Sequence, residues 1–112
     1  MNETPKESEE QAVFVDWLEY QGLKFTAIPN STYTTSQTQK IKNYRQGLRP
    51  GLPDLLVIVK DSIVFVEMKR KKQSKVSDTQ QFWIDALNKC DNVAAHVCYG
   101  ADEAIETIKQ YQ

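Results

Sequence analysis

Two apolar runs separated by a polar pair constrain this chain more than any other feature. The first, Leu55-Leu56-Val57-Ile58-Val59, is opened by Asp54; the second, Ile63-Val64-Phe65-Val66, is closed by Glu67-Met68-Lys69. Both are short and rich in β-branched residues, and Lys60-Asp61 between them is turn-prone, so the stretch predicts a β-hairpin. If Lys60 and Asp61 form the loop, Val59 pairs with Ser62, and counting back sets Asp54 opposite Glu67. Their Cβ atoms then lie about 5 Å apart on one face. Lys69, two residues beyond Glu67, shares that face through period-2 alternation. Lys-Asp is not the Asn-Gly pair favoured in two-residue loops. A four-residue loop centred on the same point keeps this register; a three-residue loop breaks it.

Two carboxylates and an amine converging at one end of a buried hairpin suit phosphodiester hydrolysis. Paired carboxylates offer the hard oxygen ligands that Mg²⁺ prefers and leave positions for water and phosphate. Such a cation offsets phosphate charge and lowers the pKa of an attacking water, while a neighbouring lysine of depressed pKa can hold or deprotonate that water. Plainer readings exist for each residue alone. Asp54 can cap the turn after Pro53, and Glu67 with Lys69 can be an edge-strand ion pair. The shared face and register favour the joint reading.

The net charge of −1 argues against a nucleic-acid partner until its distribution is considered. Between Lys40 and Lys75 lie Lys40, Lys42, Arg45, Arg49, Lys60, Lys69, Arg70, Lys71, Lys72 and Lys75, ten bases against three acids and a balance of +7; the remainder carries four bases against twelve acids, −8. One-segment positive charge is the footprint of a phosphate-binding surface, although Arg70-Lys71-Lys72 alone reads equally well as a solvated loop. At 112 residues the chain is expected to form a single domain, residues 1–112, with a core that needs no staples. Cys90 and Cys98 are too few for a disulfide framework or a Cys-rich zinc site. Neither a membrane-spanning run nor a signal peptide is legible, so a cytoplasmic protein is expected.

The order of elements reads helix, strand, long loop, hairpin, helix, strand, helix, an α/β pattern. Ser8 with Gln11 has capping-box spacing, and Val13, Phe14, Trp17 and Leu18 form an apolar face up to Gly22. Glu10 shares that face. It is either a first-turn acid that suits the helix dipole or a residue that reaches the metal site. Leu23 to Ile28 reads as a strand. Residues 1–7 are expected to be flexible, and residues 30–53 to form a long, mobile, basic segment that contacts DNA. Within it Ser36 to Gln46 is a candidate helix with Ile41 and Tyr44 facing in. Ser77-Asp78-Thr79-Gln80 is a second capping box, leading a helix whose Phe82, Trp83, Ala86 and Leu87 are expected to pack on the sheet. Val93 to Tyr99 reads as a strand, with His96 a hydrogen-bonded sheet residue and Cys98 a small buried hydrophobe. Asp102 to Tyr111 closes the chain as an amphipathic helix. No repeat, Gly-rich phosphate loop or nucleophilic-serine elbow is present.

Gly51-Leu52-Pro53-Asp54, Glu67-Met68-Lys69 and Ser77-Asp78-Thr79-Gln80, preceded by Glu10-Gln11 and Pro29-Asn30, together resemble the virus-type replication-repair nuclease family, VRR-NUC, of the PD-(D/E)xK superfamily. The likeness runs from about Glu10 to the last helix and is to a stand-alone, phage-type member, which would work in the host cytoplasm. It implies a restriction-endonuclease-like core: a mixed sheet flanked by helices, with the antiparallel hairpin carrying the active site. It implies Mg²⁺, with Mn²⁺ able to substitute, and no other cofactor. Asp54, Glu67 and the Met68 carbonyl would be metal ligands and Lys69 would place the water. Glu10 matches the family's first-helix acid, a further metal ligand, and Gln80 its helix glutamine. Stand-alone members resemble homodimeric resolvases of Holliday junctions, so branched DNA is the expected partner. A flap-cutting, nicking or restriction-type enzyme on the same site is the alternative, as is a non-cleaving DNA-binding module, which intact Asp54, Glu67 and Lys69 speak against.

Overall fold

The computed structural model describes residues 6–29, 34–70 and 75–112. In chain order these form α1 (Glu7–Gln21), β1 (Lys24–Ala27), α2 (Gln37–Arg45), β2 (Leu55–Val59), β3 (Ser62–Lys69), α3 (Asp78–Asn88), β4 (Val93–Tyr99) and α4 (Ala101–Lys109). The expectations for residues 1–5, for 30–33, and for Lys71 and Lys72 lie outside the described residues.

The hairpin organises the sheet. Val59 pairs with Ser62 and Leu55 with Val66, the register expected of a two-residue loop. Lys60 turns the chain at a φ of 54°, the left-handed conformation that such a loop demands. β1 adds to β2 antiparallel, and β4 adds to β3 in parallel, giving the mixed order β1-β2-β3-β4. A parallel neighbour needs a crossover, and α3 supplies it.

Period-2 alternation sorts the two faces. Leu55, Val57 and Val59 of β2 and Val64, Val66 and Met68 of β3 are buried with Phe14 and Leu18 of α1 and Ala104 and Ile108 of α4. Burying each of the larger side chains contributes about 1.5–3 kcal/mol. Glu67 and Lys69, one step out of phase, take the opposite face, where α3 lies. Asn88 at the end of α3 donates to the Ala95 carbonyl and accepts from the Ala95 N–H, tying the helix to β4.

Several helical faces differ from expectation. α1 starts two residues early, with Lys6 as its N-cap: Glu9 Oε2 accepts the Lys6 N–H at 3.4 Å, so the Ser8–Gln11 capping box is not used. Its buried stripe runs Glu10, Phe14, Leu18, with Trp17 partly covered and Val13 in solvent. The nine-residue α2 buries no side chain, so Ile41 and Tyr44 face out rather than in; too few apolar positions recur on it to form a stripe. α3 turns Ile84 to the interior and leaves Phe82 69% exposed and Ala86 in solvent. His96 is hydrogen-bonded as expected, its Nε2 2.6 Å from the Tyr111 hydroxyl. Burial raises the Cys98 thiol to about 11, so it remains a neutral core side chain.

Candidate active site

Asp54 is delivered by a tight loop. Gly51 is buried at a φ of +110°, and a Cβ there would stand 2.6 Å from the Thr79 carbonyl oxygen and 2.8 Å from Trp83 Cδ1. Only glycine fits both the backbone angle and the gap. The Trp83 indole N–H donates to the Pro50 carbonyl at 3.0 Å. These contacts weld the loop before Asp54 to the first turns of α3, the helix that carries Gln80. The Asp54 backbone carbonyl then accepts from the Ile28 N–H at 2.7 Å.

The Asp54 carboxylate turns onto the facing strand, where Oδ2 accepts the Met68 N–H at 2.8 Å. Burial is the largest influence on it and raises its pKa above the ordinary 3.8, partly offset by the Met68 N–H, the Lys69 charge and a hydrogen bond with Glu67. Two carboxyls this close share a proton or a cation, because both cannot be ionised cheaply in a buried place. Glu67 and Lys69 are almost fully buried, and Lys69 Nζ lies 3.6 Å from Glu67 Oε2.

Gln80 joins the two. Its Nε2 donates to Glu67 Oε2 at 2.9 Å, and its Oε1 accepts from Lys69 Nζ at 3.0 Å. Lysine has no acceptor and an ionised glutamate no donor, so an amide is the group that satisfies both at once. The same Oε1 accepts the Ser77 N–H at 3.0 Å, and the Ser77 hydroxyl accepts from the Gln80 N–H, completing the expected capping box. The cap and the contact with the site are one arrangement.

Asp54, Glu67, Lys69 and Gln80 are thus brought together, with the Met68 backbone beside them. Glu10 is occupied elsewhere: its Oε1 accepts the Ala101 N–H at 3.0 Å, across 91 residues of chain. Gly100, the residue before α4, offers no side-chain cap, so Glu10 provides one where the helix dipole favours a negative charge. Its buried Oε2 has no hydrogen-bond partner among the described residues. Lys40, Lys42, Arg45, Arg49, Arg70 and Lys75 are all exposed. Arg49 folds back, its guanidinium 3.7 Å from the Tyr44 ring centroid and its Nη1 donating to the Tyr44 and Leu48 carbonyls. Sequence reasoning expected Gly51 and Pro53 to shape a tight entry into the Asp54 strand, and missed the parts played by Pro50 and Trp83. The glycine of the Gly51-Leu52-Pro53-Asp54 motif was the available signal, since a buried glycine before a turn marks close backbone approach.

A family model described as the VRR-NUC domain matches residues 1–102. The chain belongs to the VRR-NUC domain family. A solved structure titled "VRR_NUC domain protein" superposes with a TM-score of 0.79 at 25% identity, covering 97% of this chain and 89% of that one. A second, titled "VRR_NUC domain", gives a TM-score of 0.67 at 22% identity over 96% of this chain and 100% of the other, and shows the shared fold. No curated protein matches. Membership makes this a nuclease-type domain with DNA as the implied substrate. Among the described residues no helix is long and apolar enough to cross a membrane.

Proposed function

We propose that this VRR-NUC domain is a divalent-metal-dependent, structure-selective DNA endonuclease that resolves four-way junctions as a homodimer. The observation that carries the reading is the Asp54–Glu67 carboxyl pair beside the Lys69 ammonium, all three held by Gln80 and the Met68 N–H.

The donor set suits Mg²⁺, with Mn²⁺ as a substitute. Among the described residues no group of three or more His, Cys, Asp or Glu side chains forms. Mg²⁺ asks for only one or two carboxylates and keeps several waters. Asp54 and Glu67 with the Met68 carbonyl would hold it, and Glu10 has only its partnerless Oε2 to contribute. When bound, the ion supplies Lewis acidity toward the phosphate and its attacking water. The protein's own groups do the rest. Lys69 orients the attacking water by donating a hydrogen bond to it from its ammonium. Gln80 holds the Lys69 ammonium against Glu67, so the lysine meets water from a set position rather than from a mobile four-carbon stem. Exposed Lys40, Lys42, Arg45, Arg49, Arg70 and Lys75, with Lys71 and Lys72, provide the phosphate-binding surface.

A dimer is supported by the apolar side chains on and after α2, where Ile41, Tyr44 and Leu48 are 58%, 63% and 39% exposed. Two-fold dimers are the commonest assembly, and a junction needs paired cuts that one site cannot make. A panel of labelled four-way junction, flap, nicked and duplex DNAs, with Mg²⁺ or Mn²⁺, tests the proposal. Paired symmetric nicks in the junction are expected. Equal cutting of flaps would reassign the substrate to the alternative enzymes, and no cutting of any substrate would leave a binding module.

A further inference from the structure

Next to the candidate active site, on its α3 side, runs a groove of about 460 Å³ lined by Arg49, Pro50, Asp78, Thr79, Phe82 and Trp83. That volume lies within the range of ordinary small-ligand sites. Phe82 is 69% exposed, an outlay of apolar surface that the core does not explain. Its ring stands edge-on to Trp83 at 89°, with centroids 6.2 Å apart. Trp83 is fixed by its bond to Pro50 and by its contact with Gly51. The groove therefore has one rigid aromatic wall and one ring free to be covered.

We propose that this groove receives an unpaired nucleobase of the DNA at the branch point, stacked on Phe82 beside the scissile phosphate. The assignment rests on the reading of Asp54, Glu67 and Lys69 as a phosphodiester site. Position argues for it. Thr79 precedes Gln80, and Pro50 lies four residues before Asp54, so the groove and the candidate site are built on the same loop before β2 and the same first turns of α3. Chemistry argues for it as well. Every base has a π-face that stacks on an aromatic ring without regard to sequence. Asp78, at the first turn of α3, can accept from an exocyclic amino group, and Arg49 brings a positive charge to the groove lining. α2, which ends four residues before Arg49, carries Lys40, Lys42 and Arg45, charge that suits an anionic partner.

The test measures affinity of the full chain for a fluorescent four-way junction, with Ca²⁺ in place of Mg²⁺, and for the same junction with abasic spacers at the branch nucleotides. Wild type should bind the abasic junction about tenfold more weakly, the loss of one stacked base. Phe82→Ala should weaken binding to the intact junction by a similar factor and abolish the preference for it, whereas Phe82→Tyr should retain both. An exposed ring can be removed without harm to the core, so the alanine variant should fold. Two results overturn the proposal: equal affinity of Phe82→Ala and wild type for the intact junction, or an abasic penalty that persists in Phe82→Ala. A smaller mass for Phe82→Ala in light scattering also overturns it, giving the groove to a second copy of the chain. Cleavage by wild type in Mg²⁺ is followed in parallel. Normal cleavage with any of these three results removes the groove assignment alone, while a chain that neither binds nor cuts DNA removes both.

Discussion

Lys69 is the residue on which the proposed chemistry turns, because its ammonium is buried with Glu67 and held by Gln80. Lys69→Ala should abolish cleavage in a gel assay, at least about a hundredfold as expected for loss of the group that positions the water. DNA binding should stay within a few fold, since one charge of ten in the basic segment is lost. Near-normal cleavage would mean that the site is misassigned. Asp54 carries a second prediction through its raised pKa. A carboxyl that titrates higher in the folded state binds more protons there than in the unfolded chain. In metal-free buffer its contribution to stability therefore falls as pH rises from 3.8 through the raised value. Asp54→Asn should remove that penalty and be at least as stable as wild type at neutral pH. The variant should also lose the Mg²⁺-induced rise in melting temperature that linkage gives wild type. That rise should fade on acidification, as protons compete with the cation for Asp54. Thermal melts with and without Mg²⁺ decide the matter, and an equal metal-induced shift in both proteins would sink it.

The hairpin that carries the candidate site depends on an element it never pairs with. α3 is fixed to the loop before β2 through Gly51, Pro50 and Trp83, and its first turn carries Gln80 to Glu67 and Lys69. Gly51→Ala tests this coupling. The new methyl group would press on backbone and indole at a φ of +110°, where a side chain is strained whatever the space. The expected destabilisation in urea denaturation is roughly 1–3 kcal/mol. Cleavage should fall by more than the folded fraction does, because Gln80 and Asp54 would move relative to each other. A variant as stable as wild type would show that the loop has room to give.

For the whole molecule the prediction concerns assembly. A two-fold dimer that presents both Asp54–Glu67 sites to DNA should bind a four-way junction more tightly than linear duplex of equal length, since the junction alone engages both sites at once. Light scattering should give twice the 12.9 kDa chain mass, and competition binding should give the preference. A strict monomer without junction preference would leave the metal site intact as a hypothesis and remove the resolvase reading. Much of this molecule was legible in one dimension. Hairpin register followed from two apolar runs and a two-residue gap, and with it the approach of Asp54 to Glu67 and the common face of Glu67 and Lys69. The Ser77–Gln80 cap followed from its spacing. These are local periodicities and caps, which a short stretch of chain encodes within itself. The facing of each helix did not follow, because several apolar stripes were available on α1 and α3 and the layer packed against each helix chose among them: Ile84 went in while Phe82 and Val13 stayed out. Nor did the partners of polar groups distant in sequence. Glu10 caps a helix 91 residues away, and Trp83 reaches back to Pro50, because a buried polar atom bonds whatever donor or acceptor the packed elements bring within reach.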